Sequence, residues 1–104
     1  MFPRHSRYVS HLANETLPPD IQSILWSIVD RDLAEGRELD YLQVFTLSIV
    51  RIESYTYQRI RQKQEKPERK RIHDISGVKV PLSGVTVWII DSDTYCTMLL
   101  PEDY

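Results

Sequence analysis

Leu17-Pro18-Pro19-Asp20-Ile21-Gln22-Ser23-Ile24-Leu25-Trp26-Ser27-Ile28-Val29-Asp30-Arg31-Asp32-Leu33-Ala34-Glu35-Gly36 is the stretch whose reading decides the fold. Prolines are tolerated in the first turn of a helix, and Asp20 stands where the positive end of the dipole favours a carboxylate. Ile21, Ile24, Leu25, Ile28, Val29 and Leu33 then recur at the spacing of one helical face, and Gly36 supplies a C-terminal stop. The pattern predicts an amphipathic helix over 19–35. One residue breaks the stripe. At about 100° per residue, Asp32 projects between Ile21 and Leu25, near the centre of the apolar arc. A carboxylate there must reach water or a cation. Asp32 is therefore either a partly exposed last-turn residue paired with an arginine or a functional acid, and it is the acidic position to inspect.

Beyond the helix the period changes. Leu39-Asp40-Tyr41-Leu42-Gln43-Val44-Phe45-Thr46-Leu47-Ser48-Ile49-Val50 is β-branched and aromatic without a helical stripe, and reads as a buried strand. Upstream, Arg7 to Ala13 forms a short first strand on the β-propensity of Tyr8 and Val9. Tyr55-Thr56-Tyr57 begins another extended run that turns polar from Gln58 to Gln64. Pro67 punctuates it and Arg69 to Ile75 runs back, so 57–75 is a hairpin with a solvated tip. A turn over 80–84 leads into the apolar strand Val85 to Ile90, Asp91-Ser92-Asp93 reverses the chain, and Tyr95 to Leu100 is the last strand. The expected architecture is a single α+β domain over 1–104: an antiparallel β-sheet, one amphipathic helix packed on one face, and a long basic hairpin.

Charge and cysteine content remove several functions. Thirteen Lys and Arg face fifteen Asp and Glu, a net −2, whereas duplex-DNA binders usually carry a basic excess to neutralise phosphates. Cys96 is the only cysteine, so neither an internal disulfide nor a cysteine-based zinc site has partners. The first twenty residues hold Arg4, His5 and Arg7 but no apolar core of a signal peptide. No apolar run approaches the roughly 20 residues that span a bilayer. The expectation is a cytoplasmic protein without membrane contact and without a cofactor.

Val87-Trp88-Ile89-Ile90-Asp91-Ser92-Asp93-Thr94 resembles the first motif of the haloacid-dehalogenase phosphatases, where one Asp attacks phosphorus and the next acts as general acid beside Mg²⁺. The likeness implies metal-dependent phosphate chemistry at Asp91 and Asp93. It ends with this octet, because that fold places further helices, strands, a lysine and acids after the motif, and ten residues remain here. Turn chemistry accounts for Asp-Ser-Asp more simply. A calcium loop fails because Cys96 stands where a glycine is needed. Cys96 lies among strand residues, His5, His11 and His73 are scattered, and Gly36, Gly77 and Gly84 compose no phosphate loop. The reading is a non-enzyme.

The hairpin remains. Residues 51–74 hold eight bases and four acids, a net +4 that leaves −6 for the rest of the chain. Arg59, Arg61 and Lys63 alternate along one strand face, led by Tyr55 and Tyr57, with Lys66, Arg69, Lys70 and Arg71 on the return. Such a ribbon either enters a groove or lies along a phosphate backbone, or it guards an exposed sheet edge from mispairing.

Arg7-Tyr8-Val9, Leu25-Trp26-Ser27-Ile28-Val29-Asp30, Leu39-Asp40-Tyr41-Leu42-Gln43-Val44-Phe45 and Thr97-Met98-Leu99-Leu100-Pro101-Glu102-Asp103-Tyr104 together resemble an uncharacterised family of small proteins. That family, a domain of unknown function, comes from Gram-positive bacteria and their phages. The resemblance spans nearly the whole chain and implies a bacterial or phage context, with no catalytic residues to carry over. Small size, charge polarity and the lack of a catalytic constellation point to a protein-interaction module. Nucleic-acid binding through hairpin 57–75 is the alternative.

Overall fold

The computed structural model describes residues 1–104. The chain runs β1 (Arg7–Val9), α1 (His11–Thr16), α2 (Pro19–Ala34), β2 (Leu42–Ile52), β3 (Tyr55–Glu65), β4 (Glu68–Ile75), β5 (Val85–Asp91) and β6 (Cys96–Leu99), closed by a 3₁₀ turn over Pro101–Asp103. No helix is long and apolar enough to cross a membrane.

Helix α2 forms where the apolar stripe predicts it. Pro18 and Pro19 begin it, and Ile21, Leu25, Ile28 and Val29 are buried along one face. Gly36, at φ +73°, ends it. The Arg37 N–H reaches back to the Asp32 carbonyl at 2.9 Å and the Gly36 N–H to the Leu33 carbonyl at 3.1 Å, a Schellman closure that a left-handed residue makes possible. The closure also turns Arg37 back beside Asp32.

The six strands make one sheet in the order β1-β6-β5-β2-β3-β4. Four of its five neighbouring pairs are antiparallel, while β1 and β6 run parallel with Tyr8 opposite Thr97. The sheet is thus mixed rather than wholly antiparallel, and the helix count is two rather than one. The second difference traces to Ser10. Its N–H bonds the Met98 carbonyl at 2.9 Å, the last ladder contact of the first strand. Its hydroxyl then accepts the Ala13 N–H at 3.1 Å and starts α1 within the span 7–13 that propensity reads as strand. The β-propensity of two residues loses to a cap.

Strand alternation sorts the sheet into two faces. On β2, Gln43, Phe45 and Leu47 are buried, and Phe45 lies opposite Gln62 of β3 and Val87 of β5. Phe45, Leu47 and Val87 share one core with Ile21, Leu25 and Val29 of α2, Ala13 of α1 and Met98 of β6. The other face shows Thr46, Arg61, Lys63, Lys70 and Ile72 to solvent. Trp88 on that side is half-buried, with Tyr104 packed edge-on against it at 5.6 Å.

Phe45 is wholly enclosed, so Phe45→Ala should cost about 3–5 kcal/mol in a denaturant titration, the range for emptying a packed aromatic site. Ile72→Ala on the open face, where Ile72 is 57 % exposed, should change stability by less than about 0.5 kcal/mol.

Candidate functional site

Asp32 is the organising residue. It is 1 % exposed, more deeply buried than a last-turn position implies, and it is paired with arginine as its place on the apolar arc demands. Arg71 of β4 donates through Nη1 to Oδ1, and Arg37 approaches the same oxygen at 3.5 Å. Gln62 of β3 donates to Oδ2 at 2.9 Å. Side chains from β3, β4 and the turn after α2 thus gather around the carboxylate.

A directed chain of amides extends from this carboxylate. Gln64 Nε2 donates to the carbonyls of Glu38 at 3.1 Å and Pro67 at 2.8 Å, so Gln64 Oε1 must accept. It accepts from Gln43 Nε2 at 2.9 Å, which leaves Gln43 Oε1 to accept from Gln62 Nε2 at 2.9 Å. Gln62 Oε1 is then an acceptor, and the His73 Nε2 lying 3.0 Å away must carry the proton. Burial, reinforced by the nearby Arg71, pulls the His73 pKa below its ordinary value, so the ring is neutral at neutral pH. Its Nδ1 therefore holds a lone pair.

Gln58, Gln62 and Gln64, together with Ile60, form the inward face of β3 and are buried. The polar run 58–64 is thus only half solvated. Gln58 closes a separate clasp: it donates to the Ser48 and Leu82 carbonyls, each at 2.9 Å, and accepts the Leu82 N–H at 2.7 Å. That clasp fixes the loop before β5. Sequence reasoning overlooked these glutamines because both faces of β3 read as polar. The available signal was the alternation of uncharged amides with cations at period two.

The predicted hairpin cations do not share one face. Arg59, Arg61 and Lys63 of β3 lie on the outer face with Lys70 of β4, whereas Arg69 and Arg71 point inward. Arg59 makes a two-pronged pair with Asp74 at 2.9 and 3.0 Å and holds that carboxyl below its usual range. Arg69 donates to the Glu38 carbonyl at 3.0 Å. Lys66 occupies the exposed turn, which is fastened by Asp40 accepting its N–H at 3.1 Å. Tyr55 is 64 % exposed and Tyr57 half-buried on the outer face. Arg61, Lys63 and Lys70 form no ion pair, although Lys63 and Lys70 stand directly opposite each other. Val44, Thr46 and Ile72 join these three in a shallow groove.

Asp91, at the end of β5, accepts the Phe2 N–H at 3.1 Å, and Asp93 occupies the tight turn at φ +73°. Burial pushes the Cys96 thiol up, which leaves little thiolate for nucleophilic chemistry. Its sulfur donates to the Pro3 carbonyl at 3.5 Å. Nearby, Arg7 clamps Asp30 through both guanidinium nitrogens and lies 4.6 Å above the Trp26 ring, holding β1 to α2.

The model of a family described as "Staphylococcal protein of unknown function (DUF960)" matches residues 6–103. The chain belongs to that family. A solved structure with the same fold is described as the "Crystal structure of the protein of unknown function from Enterococcus faecalis". It is 24% identical, with a TM-score of 0.75 over 100% of this chain and 98% of that one. No curated protein matches.

Gln62→Leu removes a donor from Asp32 and an acceptor from His73, and should cost about 1–3 kcal/mol of stability in denaturant unfolding. His73 titrates lower in the folded than in the unfolded chain, so the unfolded state binds its proton first. Its contribution is present above the unfolded value of 6.5 and is lost as pH falls through the folded one. Between about pH 7 and pH 5, wild type should therefore lose more unfolding free energy than His73→Asn.

Proposed function

We propose that the protein is a non-enzymatic interaction module that binds another protein through the outer face of hairpin β3–β4, in the reducing cytoplasm. The observation that carries this reading is the opposed pair Lys63 and Lys70, flanked by Arg61, with none of the three in ion-pair contact with a carboxylate. Like charges directly opposite across two strands destabilise the sheet. An acidic side chain set into the groove beside Val44, Thr46 and Ile72 would relieve that repulsion. The exposed Ile72 adds apolar area of the kind protein interfaces cover.

Nucleic acid fits this face less well. Of the eight basic residues in 51–74, Arg59 and Arg71 are neutralised by carboxylates and Arg69 is turned inward. Three cations on one face fall short of the roughly 6–10 phosphate contacts of a strong binder. The next rung towards the tip opposes Glu65 to Glu68, which repels a continuous phosphate backbone but suits a protein surface of mixed charge.

The test compares wild type with the triple variant Arg61→Glu, Lys63→Glu, Lys70→Glu, its fold checked by thermal melting. Proteins captured from a Gram-positive lysate by wild type should be lost by the variant, and the purified partner should bind wild type more weakly as salt rises. A partner retained equally by the variant removes the hairpin from the reading. Tight, salt-sensitive binding of a single-stranded oligonucleotide at about 50 mM salt would favour the nucleic-acid alternative.

A further inference from the structure

Behind the hairpin, on the face opposite the proposed protein contact, α2 and β4 leave a cleft of about 200 Å³. Ile24, Ile28 and Ile75 line it on the apolar side, and Arg31, Arg71 and His73 on the polar side. Asp32 also borders the cleft, but its oxygens are occupied by Arg71, Arg37 and Gln62. Arg71 uses only Nη1 on that carboxylate, so Nε and Nη2 have no acceptor in the protein. Arg31 is exposed in the last turn of α2 and makes no ion pair. Two guanidiniums with free N–H groups therefore flank an isoleucine-lined hollow.

We propose that this cleft binds a small aliphatic carboxylate. A guanidinium edge matches a carboxylate through two parallel N–H···O bonds. Three isoleucines give an alkyl chain a dry wall. The volume is below the usual range of about 300–1,000 Å³ for drug-sized ligands, which limits the occupant to a short chain. The buried negative charge of Asp32 at the cleft wall selects against a dianion, so a monoanionic carboxylate fits better than phosphate. The site is independent of the hairpin's outer face and stands whether or not a protein binds there.

The test is a ¹⁵N–¹H NMR titration of the full chain with hexanoate, alongside hexanamide and inorganic phosphate. Hexanoate should produce saturable shifts confined to residues 24–32 and 71–75. Hexanamide and phosphate should each bind more weakly. Arg31→Ala, a change at an exposed position that leaves the Asp32 network intact, should weaken hexanoate about tenfold, or about 1.4 kcal/mol. Non-saturating shifts, shifts centred elsewhere, phosphate binding as tightly as hexanoate, or an unaffected Arg31→Ala variant would each overturn the assignment.

Discussion

The carboxylate of Asp32, 1 % exposed in the last turn of α2, is the point through which helix and hairpin are joined. A buried carboxylate stripped of its partners costs several kcal/mol, so the fold must deliver donors to it. Arg71 comes from β4, Gln62 from β3, and Arg37 from the glycine-closed end of the same helix. The helix and a hairpin about thirty residues further along the chain thereby acquire one relative position. The amide chain through Gln43 and Gln64 carries the constraint on to the carbonyls of Glu38 and Pro67, in the segment before β2 and at the tip of the hairpin.

This arrangement sets which hairpin charges face outward. Arg71 is drawn inward by Asp32, and with it the odd-numbered residues of β4. Lys70 and Ile72 are left outward, opposite Lys63 and Arg61. A one-residue slip in this pairing would exchange the two sets. The outer face and the α2–β4 cleft are thus two consequences of one register: one displays unpaired lysines, the other keeps guanidinium edges over isoleucines.

Much of this was legible in the sequence. The stripe from Ile21 to Leu33 and Gly36 placed α2 to within one residue, and the runs at 39–50 and 85–90 placed the inner strands to within three residues at either end. The need of Asp32 for water or a cation followed from its position on the apolar arc, and the structure supplies the cation as Arg71. What stayed hidden was relational. Propensity over Arg7–Ala13 gives no weight to Ser10, whose hydroxyl ends β1 and begins α1. The parallel pairing of β1 with β6 joins residues about ninety positions apart, and no local pattern encodes it. The buried glutamines lay within a run polar on both faces, where hydrophobic alternation has nothing to report. The block Leu39–Phe45, prominent in the family resemblance, proves to contain both Asp40, which fastens the hairpin turn, and Gln43, the middle of the amide chain.

The most direct test of the Asp32 junction is a double-mutant cycle on Asp32→Asn and Arg71→Gln, read by denaturant unfolding of the four proteins. If the buried carboxylate holds β4 to α2 through Arg71, the two changes should couple by about 1–3 kcal/mol. Additivity to within about 0.5 kcal/mol would contradict it and show that packing alone docks the hairpin on the helix.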